Sequence, residues 1–195
     1  GLQAMIGQSV SREAIEAEVQ AITDAYQDGG YPLSFAYLPT NNFRDGNVRI
    51  VLVEGHIART EIVVDDDPVA GRVEKLVQPL LEERPLTRST FERVSGLIER
   101  IPGASLTLKA PVPRTPSGAT TLRVEQRRID HYGYSGNISG GDEQDTIFIN
   151  LVSAQSLTAG GDSLGFSWLW PIDNDNELYA LDYRTDIGHD GLTLS

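Results

Sequence analysis

One unit occurs twice along this chain, and a different pattern follows it. Val10-Ser11-Arg12-Glu13-Ala14-Ile15 opens a helical stretch that leads into Ala36-Tyr37-Leu38-Pro39 and then Asn47-Val48-Arg49-Ile50-Val51-Leu52-Val53-Glu54. The order recurs as Leu86-Thr87-Arg88-Ser89-Thr90-Phe91, then Ala104-Ser105-Leu106-Thr107-Leu108-Lys109, then Thr120-Thr121-Leu122-Arg123-Val124-Glu125. Such self-similarity predicts two small helix-and-sheet modules in tandem. From His131 the helical period disappears, and alternating segments rich in Gly and aromatics take over.

In the first module Ser11 is the expected N-cap, with Ile15, Val19, Ile22 and Tyr26 on one face. Gly29-Gly30 stops the helix, a strand covers residues 34–38, Asp45-Gly46 marks a turn, and a second strand covers 48–54. Past the joint Glu54-Gly55-His56, residues 57–64 alternate as a strand. A helix follows with Val69, Val73, Leu76, Val77 and Leu80 inward, which Pro79 should kink or end. Thr87 caps a further helix carrying Phe91, Val94, Ile98 and Ile101, and a hairpin (105–109, 120–126) closes the unit. The order is strand, helix, helix, strand, strand, and the joint leaves the modules little freedom. By that order the first module lacks its opening strand and most of its first helix. The chain also starts within a helical pattern (Leu2, Met5, Ile6), so a fragment of a longer protein is expected.

The tail reads as strands at 131–139, 145–154, 162–170 and 177–185, with another starting at Leu192. The separators Gly140-Gly141-Asp142, Gly160-Gly161 and Asp173-Asn174-Asp175-Asn176 carry strong turn chemistry. Strands of this length suit a tilted membrane β-strand. Leu164, Phe166, Trp168 and Trp170 make one continuous apolar face, with Gly165 and Ser167 opposite, and Tyr179, Leu181 and Tyr183 alternate in the same way. Burying four such side chains is worth roughly 6–12 kcal/mol, so that face needs either a second sheet or lipid. Alternation alone leaves a soluble β-sandwich and a membrane barrel both open.

The net charge of −12 sits mostly in the tail: from residue 129 onward Arg184 is the one basic residue against 11 Asp and Glu. That field repels phosphate backbones and argues against nucleic acid as a partner. No cysteine is present, so no disulfide or thiolate zinc site can form. His56, His131 and His189 stand apart from one another and from carboxylates at ligand spacing, so none is assigned a catalytic or metal role. Asp173 to Glu177 offers oxygens at alternate positions, but Leu178 stands where a calcium loop needs Gly and Arg184 where it needs Glu. Asp65-Asp66-Asp67 before Pro68 reads as a solvated helix start. No nucleophile elbow or phosphate-cradling loop occurs, and no cofactor is expected.

The helix followed by Gly29-Gly30-Tyr31 and Ala36-Tyr37-Leu38-Pro39, with Asp45-Gly46-Asn47-Val48-Arg49-Ile50 and Val53-Glu54-Gly55, resembles a POTRA domain. Its form is that of the two-partner secretion transporters, the hemolysin-activator-like outer-membrane proteins. Residues 57–127, with the Ile101-Pro102-Gly103 turn, resemble their second POTRA domain, and 130–137 the start of their barrel. The fold class implied is α+β: POTRA-like units at 1–55 (truncated) and 56–128, then at 129–195 the first antiparallel strands of an incomplete transmembrane β-barrel. Four or five strands cannot close.

The resemblance implies an outer-membrane location with residues 1–128 in the periplasm, and a non-enzymatic role in receiving an exported protein and passing it to a barrel. A barrel-assembly factor with POTRA units and a soluble scaffolding module with a β-sandwich tail remain alternatives. A sheet edge can hold an extended chain through backbone bonds without demanding a sequence. By the resemblance the open edges are Ser34, Phe35, Ala36, Tyr37 and Leu38, and Ser105, Leu106, Thr107, Leu108 and Lys109, the expected cargo-binding residues. The expected lipid-facing residues are Leu164, Phe166, Trp168, Trp170, Tyr179, Leu181 and Tyr183.

Overall fold

The structure, a computed structural model, describes residues 2–39, 46–141, 144–171, 177–188 and 192–194. The expected turn at 173–176 and His189 lie outside them, as do most of the 40–46 loop and Asp142. The elements run α1 (Arg12–Asp28), β1 (Phe35–Tyr37), β2 (Val51–Val53), β3 (His56–Val63), α2 (Asp67–Leu76), α3 (Gln78–Glu82), α4 (Arg88–Glu99), β4 (Ala104–Lys109) and β5 (Ala119–Ile129). Then come β6 (Tyr132–Gly141), β7 (Gln144–Gln155), β8 (Ser163–Pro171), β9 (Leu178–Ile187) and β10 (Leu192–Leu194). Three sheets result, ordered β1-β2, β3-β5-β4 and β10-β9-β8-β7-β6.

Cα proximity divides the chain into two compact units, one of Gly1–Glu61, Gln78–Val94 and Lys109–Arg123, the other of Ile62–Val77, Ser95–Leu108 and Val124–Ser195. Each takes part of the second sequence module.

In the first unit, Ser11 Oγ accepts from the Ala14 amide at 3.2 Å and starts α1, as its side-chain chemistry predicts. Ile15, Val19 and Thr23 are the buried positions of α1; Ile22 and Tyr26 are only half-buried. Of the two glycines that stop the helix, Gly30 supplies the positive φ (97°), and the Tyr31 amide closes the turn onto the Tyr26 carbonyl at 3.0 Å. The joint between modules is fixed by the backbone: the Gly55 carbonyl accepts from Leu86 N–H at 3.0 Å, and His56 N–H donates to the Gly118 carbonyl at 2.8 Å. A Cβ at Gly55 would overlap the Leu33 carbonyl, so only glycine permits this approach. The Arg88 amide donates to the Gly30 carbonyl and its guanidinium to the Gln27 carbonyl, both at 2.8 Å, which satisfies the end of α1 with a cation where the helix dipole favours one.

In the second unit, Asp66 Oδ1 accepts from Val69 N–H at 3.0 Å and caps α2, whose Val69, Val73 and Leu76 are buried. α2 ends before Pro79 and α3 restarts at Gln78, the interruption that a ring lacking an N–H imposes. The strands β6 to β9 form an antiparallel meander with Tyr134↔Val152, Val152↔Phe166 and Phe166↔Leu181 in register, and β10 adds beside β9 through Leu192↔Ile187. α2 meets the ends of this sheet. Arg72, with its side chain 3% exposed, donates from Nη2 to Asp186 Oδ2 at 2.8 Å and from Nη1 to the Gly188 carbonyl at 2.7 Å. Nearby, Ser156 Oγ donates to the Pro102 carbonyl at 2.6 Å and Asp130 N–H to the Gly103 carbonyl at 2.8 Å.

Two outcomes follow. Leu122→Ala empties a fully buried site on β5 and should cost about 2–5 kcal/mol in a denaturant melt. Arg72→Met removes the guanidinium from the Asp186 carboxylate, 27% exposed, and should cost roughly 2–4 kcal/mol. In a double-mutant cycle with Asp186→Asn the two losses should fall short of adding.

Candidate functional site

Three features of the molecule can meet a partner: the edge of β1, the edge of β4, and the faces of the β6–β10 sheet.

β1 pairs with β2 on one side, through Phe35↔Val53, Ala36↔Leu52 and Tyr37↔Val51. In an antiparallel strand the N–H and C=O of one residue point to the same side, and that side alternates along the chain. Ser34 and Ala36 therefore share the side away from β2. Helix α1 already serves it: Ala36 N–H donates to Thr23 Oγ1 at 2.9 Å, and Gln27 Nε2 donates to the Ser34 carbonyl at 3.2 Å. The Ala36 amide is thus satisfied within the molecule. Ser34 is buried, its Oγ accepting from Gly55 N–H at 3.4 Å, while Phe35, Tyr37 and Leu38 are half-buried. Phe35 and Tyr37 share one face, with ring centroids 6.1 Å apart. Thr23 and Gln27 were not marked by the sequence pattern, because Thr23 lies one position past the apolar spacing and its role depends on the fold of β1.

β4 is the outer strand of the order β3-β5-β4, so the topology gives it a strand neighbour on one side. Ser105 and Lys109 are exposed and Leu106, Thr107 and Leu108 half-buried. Beside Lys109, a shallow groove of about 610 Å³ is lined by Glu61, Ala110, Pro111, Thr121 and Arg123. Across it Arg123 pairs with Glu61 at 3.2 Å, and Arg59 Nε donates to Thr121 Oγ1 at 2.8 Å.

The register puts Tyr132, Tyr134 and Ile138 of β6, Phe148 and Val152 of β7, Leu164, Phe166, Trp168 and Trp170 of β8, and Tyr179, Leu181 and Tyr183 of β9 on one face. Leu164 and Phe166 are each 41% exposed, Trp170 61% and Leu181 72%; Trp168 is half-buried between Phe166, at 5.6 Å between centroids, and its register partner Tyr179. Phe166 and Tyr179 stack at 6.3 Å. The opposite face carries Gly165, Ser167, Asp182 and Arg184, but also Ile147, Ile149 and Leu151 of β7 with Leu169 and Leu178 beside them. β7 is thus apolar on both faces, a departure from the simple alternation expected, with Ile149 36% and Leu151 37% exposed. The continuous run Ile147-Phe148-Ile149 was the available signal.

Where β6 leaves β5, His131 meets two acceptors. Its Nδ1 lies 2.8 Å from the Gln155 carbonyl and its Nε2 2.7 Å from Asp66 Oδ2. The Gln155 carbonyl bond and the Asp66 bond raise its pKa above the ordinary imidazole value, aided by the charges of Asp66 and Asp162 and opposed by burial. Asp162 is itself held below the usual carboxylate range, because bonds from Thr158 and nearby amides outweigh its burial. Asp66 is therefore no solvated helix start, as its sequence neighbours suggest: one oxygen caps α2 and the other holds His131. Among the described residues no group of three His, Cys, Asp or Glu is placed to hold a metal ion, and no helix is long and apolar enough to cross a membrane, a statement that leaves β-strands aside.

Comparison with known proteins gives these features a context. The family "POTRA domain, ShlB-type" matches residues 2–55. CdiB from Escherichia coli superposes with a TM-score of 0.69 at 18% identity, over 95% of this chain and 35% of that one. CdiB from Acinetobacter baumannii gives 0.58 at 13% identity, over 95% and 36%. The chain thus spans about a third of the length of these structures. No curated protein sequence matches it. Residues 2–55 match the ShlB-type POTRA domain, and the chain as a whole is α+β with a fold like that of the matched third of the CdiB structures.

Proposed function

We propose that this chain is the receiving portion of a two-partner secretion transporter in the outer membrane. Residues 1–55 and 56–128 are POTRA domains in the periplasm, residues 129–195 are the first strands of the barrel, and the work is protein transport without covalent chemistry. The observation that carries this reading is the exposed apolar face running across β6 to β9, on a sheet whose end is bonded to α2. Hydrocarbon is the environment that suits such a face, since backbone groups within the sheet are already paired. The ShlB-type match and the CdiB-like fold support the same assignment.

Cargo binds as an added strand. The outer side of β4, Ser105 to Lys109, is its principal place. On β1, Ser34 to Leu38, a cargo strand would first have to displace Thr23 and Gln27 from the Ala36 amide and Ser34 carbonyl. That edge is a secondary site, where Phe35, Tyr37 and Leu38 supply apolar contact.

Photo-crosslinkers at Ser105 and Thr107 should trap an unfolded secreted partner. Because amides alternate in direction, one of Leu106→Pro and Thr107→Pro removes an outward N–H and should weaken cargo binding about tenfold with the fold intact. Unchanged binding in every folded proline variant would remove the strand-addition idea. Trp168 and Trp170 are the only two tryptophans, so quenching of the emission by brominated acyl chains in vesicles reports directly on β8. Strong quenching is expected, and emission indifferent to brominated lipid would count against a membrane barrel.

A further inference from the structure

The bonds around His131 identify the chemical state of its ring. A carbonyl oxygen and an ionised carboxylate can only accept, so each ring nitrogen, 2.8 Å from the Gln155 carbonyl and 2.7 Å from Asp66 Oδ2, must carry a proton. The other Asp66 oxygen accepts from Val69 N–H at the positive end of the α2 dipole, an acceptor's role as well. The partners come from different parts of the fold: Asp66 precedes α2, Gln155 ends β7, and Gln155 N–H returns a bond to the His131 carbonyl at 2.7 Å. Side-chain exposures of 27% for His131 and 18% for Asp66 leave the pair partly sheltered from water.

We infer that His131 is an imidazolium clasp that ties the N-cap of α2 to the first strand pair of the barrel, and that it opens when the ring loses a proton. A neutral imidazole has one N–H. It can hold Gln155 or Asp66 but not both, and its bare nitrogen then faces an oxygen lone pair. One further charge favours the closed state, that of Asp162 in the β7–β8 turn; Asp130, next in sequence, is paired with Arg128. Arg72, farther along α2, holds Asp186 and the Gly188 carbonyl through bonds that do not involve the imidazole. Opening therefore frees the start of α2 while Arg72 still holds the sheet.

The direction with pH follows from the raised pKa. The clasp contributes fully below the ordinary imidazole range, near about 6.5, and its contribution is lost as pH rises through the higher value of the folded protein. The link to transport rests on the secretion reading, but the clasp does not.

The test uses the whole chain in detergent with His56→Gln and His189→Gln, which leaves His131 as the single histidine. Its ring protons, followed by NMR, should titrate above the midpoint of an unstructured histidine peptide, and Asp66→Asn should move that midpoint down. Amide exchange at Val69 and Gln155, corrected for intrinsic rates, should quicken several-fold across the midpoint, and His131→Gln should abolish that step. If Asp66→Asn does not fold, Asp66→Ser keeps a good N-cap while removing the charge. A midpoint at or below the peptide value, or exchange without a step at that midpoint, would overturn the clasp. No readout involves secretion, so failure of the clasp and failure of the transport reading are told apart.

Discussion

The apolar face spread across β6, β7, β8 and β9 is the constraint that organises the rest. Four side chains of β8 alone represent roughly 6–12 kcal/mol of burial, and among the described residues three of them stay more than 40% exposed. An exposed surface of this kind belongs against another apolar phase. The tail's charge fits, because among the described strand residues Asp182 and Arg184 stand on the opposite face. On the proposed function the helix-and-sheet modules stay in water, and the outer side of β4 is the edge offered to an extended chain.

Attachment between these parts is polar and specific. Within the second unit, α2 reaches the sheet through one buried guanidinium and one shared carboxylate, and Pro102 and Gly103 reach it through backbone bonds. Such contacts fix geometry more than they add stability, because a buried ion pair recovers little beyond its own desolvation. The joint at Glu54 to His56 works differently. There, backbone bonds from Leu86 and to Gly118 do the fixing, and glycine at position 55 makes room for Leu33.

Local periodicity made much of the fold legible. The period-two pattern placed β6 to β9 within about two residues of where they stand, and Pro79 marked the break between α2 and α3. Ser11, Asp66 and Thr87 sit at helix starts because their oxygens reach the amides two or three residues on. Tertiary pairing was out of reach. His131 and Asp66 are 65 positions apart and Arg72 and Asp186 are 114 apart, so nothing in local spacing joins them. The edge of β1 shows the same limit: alternation locates the strand, but only the fold shows Thr23 and Gln27 occupying its polar groups. On β7, apolar residues in succession defeat a two-face reading, since alternation assumes that one face is polar.

Spin labels on single cysteines from 164 to 170, in a chain that has no native cysteine, test the central claim most directly. In liposomes, collision with oxygen and with a water-soluble nickel reagent would be measured position by position. The account predicts an alternation of period two, with 164, 166, 168 and 170 open to oxygen and shielded from nickel, and 165, 167 and 169 the reverse. Equal nickel access at both sets would show that this face meets water, and would contradict the account.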